Sequence, residues 1–242
     1  MFSATQHDFR MQRLSIALLG NQPSFGLDTR HAVDAALQMG AHHNRVCIIY
    51  VPSNHTGKGH KNIQNPDFEQ PIYAEGTILQ SRGQAVALQT ADSPTVILYD
   101  SKTHNVVVTH AGRPAMTPPE ECATCSFSVL DAAYQRLLGH EKADGHIHAF
   151  IIGSICGHCF VHDEPGAEAF VTPFDRYGHD VFTDRSKGAL DMVKLITLQL
   201  RHRGIPAENI RHDGQCTQEN VDLSSRRGGR YKNKNTIIVV RH

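Results

Sequence analysis

Short runs of apolar, mostly β-branched residues recur along the chain, each bounded by turn-forming residues, and they predict β-strands. Two runs, Val106–Val108 and Ile237–Val240, are continuously apolar rather than alternating. This pattern predicts strands that are covered on both faces. The run Leu14–Gly20 also has the length of a strand. The other predicted strands, two of which contain the continuous runs, are Val46–Val51, Ala85–Gln89, Thr95–Tyr99, Asn105–Thr109, His148–Ile152 and Thr236–Val240.

Apolar residues at helical spacing predict three helices between these strands. The segments Thr29–Met39 and Ser126–Leu138 are each followed by a glycine. The clearest segment, Ala189–Arg203, carries a wide apolar face and a basic last turn, followed by Gly204 and Pro206. The basic turn, Gly204 and Pro206 are typical of a helix C-terminus. Because its apolar face is wide, we expect this helix to pack that face on a sheet.

Strands and helices intermix from end to end, which favours the α/β class in a layered α+β arrangement. We predict a mixed β-sheet flanked by helices, in a single domain over residues 1–242. The main irregular stretch, Pro52–Pro71, is rich in Gly, Asn, Lys and Pro. It is long enough to be a functional loop.

Composition excludes several classes of protein. The 242 residues include 24 Lys+Arg and 24 Asp+Glu, so no global positive field attracts nucleic acid. No window has the ~20 apolar residues of a membrane helix. The run Leu14–Gly20 meets Asn21-Gln22-Pro23 without a signal cleavage site. We therefore expect a cytoplasmic protein that binds neither nucleic acid nor membrane, with its six cysteines reduced or metal-bound.

A serine and a histidine are candidates for catalysis. Ser93 opens one predicted strand, and His110 ends the next strand along the chain. A short hairpin-like connection joins these strands, so both residues should lie at the same end of the sheet. A hydroxyl beside an imidazole can form a nucleophilic or a metal site. The alternative is ordinary turn chemistry around Asp92-Ser93-Pro94 and Gly112-Arg113-Pro114.

Two Cys-x-x-Cys pairs, Cys122/Cys125 and Cys156/Cys159, are candidates for a structural Cys₄ zinc site. Thirty residues separate the pairs, which is longer than usual. The alternative is two unrelated pairs of cysteines.

A late basic segment, Ser224–Lys232, combines arginines with glycines and hydroxyls. Such a segment can hold a phosphate through guanidinium side chains and backbone N–H groups. The alternative is a solvated basic loop. The loop Asn54–His60 also carries Gly and His but lacks the spacing of a P-loop.

Taken in order, these segments resemble the YfiH-like laccase-domain family, also described as multicopper polyphenol oxidoreductase and as purine nucleoside phosphorylase. The family carries an early His segment, A-D-C-x-P, H-A-G, a G-P-x-I segment, and a late C-T followed by F-S-x-R-R. The matching segments here are Val51–His55, Ala91–Pro94, His110–Met116, Ile152–Phe160, Cys216-Thr217 and Leu223–Arg227. The resemblance is good from about Thr77 to Val240.

The resemblance implies a metal site, usually zinc and less readily copper, on His55, Ser93 and His110, with His60 as a rival for His55. It implies phosphorolysis of purine nucleosides, with adenosine deamination also attributed to the site. Copper-dependent polyphenol oxidation was the older assignment, and peptidoglycan editing is attached to some members. The small-molecule partners would be a purine nucleoside and phosphate. The phosphate candidates are Arg113, Arg226 and Arg227.

One departure from the family pattern bears on mechanism, because Ser93 replaces the family cysteine. A neutral hydroxyl is a much poorer zinc ligand than a thiolate. Zinc would then be weakly bound or absent, and His55, Ser93 and His110 would serve as acid–base or nucleophilic groups. Two alternatives stay open: a degenerate, inactive member that binds a nucleoside or a partner, and the structural Cys₄ zinc protein.

Overall fold

The computed structural model describes residues 9–11, 13–22, 28–51, 62–117, 128–139, 143, 145–230, 232 and 234–242. Within them the strands are β1 (Phe9–Met11), β2 (Leu14–Gln22), β3 (Val46–Tyr50), β4 (Ile63–Gln64), β5 (Ile72–Tyr73), β6 (Gly76–Leu79), β7 (Ala85–Thr90), β8 (Thr95–Asp100), β9 (Val106–His110), β10 (Ile147–Ile152), β11 (Phe182–Asp184), β12 (Ala189–Leu190), β13 (Ile210–His212) and β14 (Lys234–Arg241). The α-helices are α1 (Arg30–Gln38), α2 (Arg113–Met116), α3 (Val129–Leu138) and α4 (Met192–His202). Short 3₁₀ helices span Ala167–Phe170, Thr172–Tyr177, His179–Val181, Arg185–Lys187 and Ala207–Asn209.

The described strands form two six-stranded sheets and a small two-stranded one, instead of the one mixed sheet predicted. The first sheet has the order β1-β2-β14-β7-β3-β5, and the second has the order β13-β10-β8-β9-β6-β4. Both sheets mix parallel and antiparallel pairs. The mixed, layered α/β class predicted from the sequence is confirmed.

Alternate side chains of the continuous apolar strands enter different cores. Val106 and Val108 pack between the two sheets, whereas Val107 packs against the helices on the far side of the second sheet. Ile237 and Ile238 divide in the same way between the middle core and the core under α1. Both strands are therefore covered on both faces, as predicted, because side chains alternate across a strand.

The helices lie outside the sheets. α1 packs on β14 and β7, whereas α3 packs on β9 and β8. Ser128 and Asp131 form a capping box that begins α3. The described helices include none that is long and apolar enough to cross a bilayer.

Two sequence-based boundaries were wrong. The helix predicted from Ala189 begins at Met192, because Asp191 caps it by accepting the Lys194 backbone N–H. The two residues before the cap belong to β12, which pairs with β11. The stretch predicted as irregular from Pro52 to Pro71 includes the short strand β4.

Candidate active site

A buried carboxylate holds the ring of His110 at the end of β9. The Nδ1 atom of His110 lies 2.6 Å from Oε2 of Glu75, whose residue is 3% exposed. The His110 backbone N–H also donates to the Glu75 carbonyl at 2.7 Å. Glu75 therefore hydrogen-bonds to both the main chain and the ring of His110. Since a carboxylate accepts the Nδ1 proton, Nε2 is left as the basic nitrogen that faces away from Glu75.

Ser93 and His110 meet beside Gly112. A Cβ atom on Gly112 would lie 2.7 Å from His110 Nε2 and 3.0 Å from Ser93 Oγ. The two reactive atoms therefore share one side of this glycine, and any larger residue would push into them. The β8–β9 register pairs Thr95 with His110, which is why the hairpin brings the two loops together. The predicted approach of Ser93 to His110 is observed.

The described donors do not fit a tight zinc site. His110 Nε2 and Ser93 Oγ are both neutral donors, and Glu75 is engaged by the other ring nitrogen of His110. Zinc sites in proteins gain affinity from thiolate or carboxylate charge, which this pair lacks. His55 and its rival His60 lie outside the described residues, so the role of either as a ligand stays a prediction.

Asp92, next to Ser93, accepts hydrogen bonds from the basic segment Ser224–Lys232. Its Oδ1 accepts hydrogen bonds from Thr217 Oγ1 at 2.9 Å and from Ser225 Oγ at 2.7 Å. Its Oδ2 accepts the backbone N–H groups of Arg226 at 3.0 Å and Arg227 at 3.1 Å. One carboxylate thus ties the turn before β8 to the turn before β14.

Asn235 on β14 adds a second tie between the same two turns. Its side-chain amide donates to the carbonyls of Ala91 and Ser224, at 3.0 and 2.8 Å, and its Oδ1 accepts the Ser224 N–H. Asn235 is buried, so these bonds are shielded from water. The segments 91–93 and 224–227 are thereby held as one unit.

The sequence predicts that backbone N–H groups of the Ser224–Lys232 segment can bind phosphate. This prediction was wrong for the N–H groups of Arg226, Arg227 and Gly228. Asp92 already accepts the N–H groups of Arg226 and Arg227, and Ser225 Oγ accepts that of Gly228 at 2.9 Å. These three N–H groups are therefore already occupied, which leaves the guanidinium side chains as the candidates for anion binding at this turn.

Arg113 and Arg227 each place a guanidinium group over a phenylalanine ring. The Cζ atom of Arg113 lies 4.4 Å from the Phe170 ring centroid, and that of Arg227 lies 4.9 Å from the Phe160 centroid. Burial lowers the pKa of Arg113, and the positive charge of Arg227 lowers it further. Among the described residues, neither guanidinium has a carboxylate at ion-pair distance.

His162 packs against the same Phe160 ring that Arg227 covers. Its Nδ1 contacts the Gly188 carbonyl at 3.0 Å, and its ring packs edge-on against Phe160. Burial lowers the pKa of His162, and the charges of Arg227 and Arg113 also lower it. Arg226 lies in different surroundings, near Lys234. Burial is the main cause that lowers the pKa of Lys234, and the charge of Arg226 lowers it further. Of the three predicted phosphate ligands, Arg113 and Arg227 therefore share surroundings that Arg226 does not, and their role as phosphate ligands stays a prediction.

Sequence reasoning missed several residues of this site. Glu75 and Asn235 carry no local motif, and they reach the site only through strand pairing. From the sequence, His162 is predicted only as an additional potential ligand for the Cys₄ zinc site, together with His158. The structure also groups Cys156 and Cys159 with Cys216 and Glu219. Cys122 and Cys125 lie outside the described residues, so the Cys₄ site stays a prediction.

The fold is shared with three solved structures. The YfiH protein of Bacillus licheniformis, a hypothetical protein, is 14% identical with a TM-score of 0.72, covering 95% of this chain and 93% of that one. A Neisseria meningitidis protein is 16% identical with a TM-score of 0.70, covering 96% of both chains. YlmD from Geobacillus stearothermophilus is 16% identical with a TM-score of 0.66, covering 98% and 99%. At these identities the likeness shows the fold alone.

No curated protein matches the sequence significantly. The sequence does match the family described as multi-copper polyphenol oxidoreductase laccase over residues 24–240. That match spans the second sheet, the first sheet except β1, β2 and the end of β14, and the candidate-site residues Glu75, Ser93, His110, Arg113 and Arg227. The chain belongs to this YfiH-like, laccase-domain family.

Proposed function

We propose that the protein is a purine nucleoside phosphorylase-type enzyme in which Arg113 and Arg227 bind phosphate and His110 transfers protons. The observation that carries the proposal is the position of two arginines, whose guanidinium groups have no carboxylate partner among the described residues, in the segments beside the Ser93–His110 pair. The backbone N–H of Arg227 is held by Asp92, the neighbour of Ser93. Arg113 directly follows Gly112, the residue that Ser93 and His110 flank. A planar guanidinium pair is suited to phosphate oxygens.

The chemistry requires one bond to form and one to break. A phosphate oxygen attacks C1′ of the nucleoside, while the bond from C1′ to the purine breaks and its electron pair leaves with the base. The proton of hydrogen phosphate ends on the purine, so the products are ribose 1-phosphate and the free base. His110 Nε2 can accept this proton from phosphate and deliver it to the leaving base.

Glu75 and Ser93 assist His110 in this scheme. The Glu75 carboxylate keeps Nε2 directed into the site and stabilises the imidazolium that forms during proton transfer. Ser93 Oγ lies on the same side of Gly112 as Nε2, where its hydroxyl can hydrogen-bond to phosphate or to the ribose. No step depends on a metal ion, in keeping with the neutral donors at Ser93 and His110.

Product analysis tests this function. Purified protein is incubated with adenosine, inosine or guanosine, with and without phosphate, and the products are identified by mass spectrometry. We expect phosphate-dependent release of free base and ribose 1-phosphate, lost in His110→Ala and reduced in Arg227→Ala. Arg201→Ala, on the exposed end of α4, is the matched control and should behave as wild type.

Other products would redirect the assignment. Inosine formed from adenosine without phosphate would indicate deamination, the other activity expected from the family resemblance. Nucleoside binding without any product would favour the inactive, binding-only alternative. Base release that is equal in wild type and His110→Ala would contradict the role of His110.

A further inference from the structure

Three cysteines and a glutamate form a second cluster, separate from the Ser93–His110 pair. Cys156 and Cys159 lie in the turn that follows β10, and Cys216 and Glu219 lie in the segment that follows β13. Each segment contributes two residues at the same spacing, Cys-x-x-Cys and Cys-x-x-Glu. The three Sγ atoms and a carboxylate oxygen all lie within 4.8 Å of one another.

The distances within the cluster suit a tetrahedral metal ion. Sγ of Cys156 and Sγ of Cys159 each lie 3.5 Å from Oε1 of Glu219. Zinc–sulfur bonds of about 2.3 Å and zinc–oxygen bonds of about 2.1 Å give tetrahedral edges of about 3.5–3.8 Å between ligand atoms. The four donors are therefore arranged around a point that a zinc ion can occupy with little movement.

The backbone holds both segments in place before any ion binds. The Cys156 N–H donates to Cys216 Sγ at 3.3 Å, a hydrogen bond that joins the two segments. The Cys159 N–H donates to the Cys156 carbonyl at 3.1 Å, which closes the Cys-x-x-Cys turn. The Asn220 N–H donates to the Cys216 carbonyl at 2.9 Å, which closes the second turn.

Gly157 shows how closely the first turn is packed. A Cβ atom at this position would lie 2.7 Å from Thr183 Cγ2 and 2.9 Å from Asp191 Cβ. The turn is thus seated against β11 and the cap of α4. Cys216 is buried, Cys156 and Cys159 are half-buried, and Glu219 is exposed, so an ion can enter from solvent beside Glu219.

We propose that Cys156, Cys159, Cys216 and Glu219 bind one Zn²⁺ ion as a structural site. Three thiolates and a carboxylate are a donor set that zinc favours, and binding releases the thiol protons to solvent. The site is complete without Cys122 and Cys125. It is also independent of the phosphorylase proposal, since it shares no ligand with Ser93 or His110.

A bound ion would also stabilise the turn that carries Arg226 and Arg227. Thr217, next to Cys216, donates its hydroxyl to Asp92, and Asp92 holds the N–H groups of Arg226 and Arg227. Zinc binding joins the segment of Cys216 to the end of β10 and so stabilises this hydrogen-bonded unit. We therefore expect zinc to raise the thermal stability of the protein.

Metal titration of the full chain tests the site. Zinc affinity is measured by competition with a chromogenic chelator, and stoichiometry is measured by elemental analysis. Cobalt(II) replaces zinc to report thiolate ligation, through the charge-transfer absorption of cobalt–sulfur bonds. The test variants are Cys159→Ser and Glu219→Gln, the second of which changes an exposed side chain and leaves the core intact. The controls are Cys47→Ala, a cysteine of β3, and His110→Ala.

We expect wild type, Cys47→Ala and His110→Ala to bind one equivalent of zinc and to show the cobalt–thiolate band. Cys159→Ser should lose at least ~100-fold in affinity, and Glu219→Gln should lose roughly 10-fold. Equal zinc affinity in wild type, Cys159→Ser and Glu219→Gln would overturn the proposal. So would a wild-type cobalt complex without thiolate absorption, or a disulfide within the cluster in protein purified under reducing conditions with zinc.

Discussion

Ser225 and Asp92 are separated by 133 positions in the sequence, yet the Ser225 hydroxyl donates a 2.7 Å hydrogen bond to the Asp92 carboxylate. The same carboxylate accepts three further bonds, from Thr217, Arg226 and Arg227. Asp92 therefore connects the turn that carries Ser93 to the turn that carries the arginines. The positions of the Ser93 hydroxyl and of the proposed phosphate ligand Arg227 therefore depend on one side chain.

Removing that carboxylate should loosen both turns. Asp92→Ala leaves four donors without their acceptor, and we expect a loss of about 2–4 kcal/mol in the free energy of unfolding. Hydrogen exchange of the Arg226 and Arg227 amides should also accelerate. Chemical denaturation and exchange mass spectrometry measure the two effects. Asp163→Ala, at an exposed position, is the control. A loss below about 0.5 kcal/mol in Asp92→Ala would contradict the proposed role.

The buried carboxylate of Glu75 should matter for turnover more than for substrate binding. Glu75→Gln keeps the shape of the side chain but removes the charge that stabilises the His110 imidazolium. We expect kcat for phosphorolysis to fall by roughly 10²–10⁴-fold, with a smaller change in KM. Steady-state kinetics with the best nucleoside measures this effect, and Glu69→Gln at an exposed position is the control. An unchanged kcat would remove Glu75 and His110 from the proton-transfer step.

Phosphate should raise the pKa of His162. Burial is the main cause that lowers this pKa in the free protein, and the charges of Arg227 and Arg113 lower it further. A bound phosphate offsets those two charges, so protonation of the ring becomes easier. Titration by NMR with and without phosphate measures the shift. His148, whose pKa is lowered by burial and by Arg211, should not respond, and an unmoved His162 at saturating phosphate would exclude this anion site.

The same histidine makes stability depend on pH in a defined direction. Because the folded-state pKa of His162 lies below its usual value of 6.5, the unfolded chain binds the proton more readily. His162 therefore contributes stability at neutral pH that is lost as the pH falls through 6.5 towards the folded-state pKa. Saturating phosphate should reduce this loss, since it brings the two pKa values closer together.

A thiolate at position 93 should restore a metal site. Ser93→Cys supplies the charge and the strong zinc bond that a hydroxyl lacks, so zinc affinity should rise by orders of magnitude if His110 and the predicted His55 converge with it. The measurement is a chelator competition in a Cys159→Ser background, which weakens the separate cysteine cluster. Ser81→Cys, an exposed thiol elsewhere, is the control. Equal affinities for the Ser93→Cys and Ser81→Cys proteins would exclude the metal site predicted from the family resemblance.

The apolar face of α4 should contribute strongly to stability. Leu200 is 0% exposed and packs in the core between the second sheet and the helices. Leu200→Ala should lower the free energy of unfolding by about 2–5 kcal/mol, measured by chemical denaturation. Leu198→Ala removes a partly buried leucine from the same helix and should be milder. A loss for Leu200→Ala well under about 1 kcal/mol would show that the predicted apolar face of the helix is wrong.

Local sequence was enough to predict the features that depend on neighbours along the chain. The strands β3, β7, β8, β9, β10 and β14 fall within a residue or two of the predicted runs, because apolar periodicity and turn residues act locally. Ser93 and His110 could be placed together for the same reason, since a short hairpin sets their register. The Cys156–Cys159 pair was visible from its spacing alone.

Tertiary structure alone decided which distant groups meet. The run Val106–Val108 predicts burial on both faces, but only the packing shows that its side chains divide between two cores and that the strands form two sheets. Glu75 reaches His110 because β6 pairs with β9. Cys216 and Glu219 reach Cys156 from 60 or more positions away. Long-range contacts of this kind depend on how strands pair and layers stack, and no local periodicity encodes that choice.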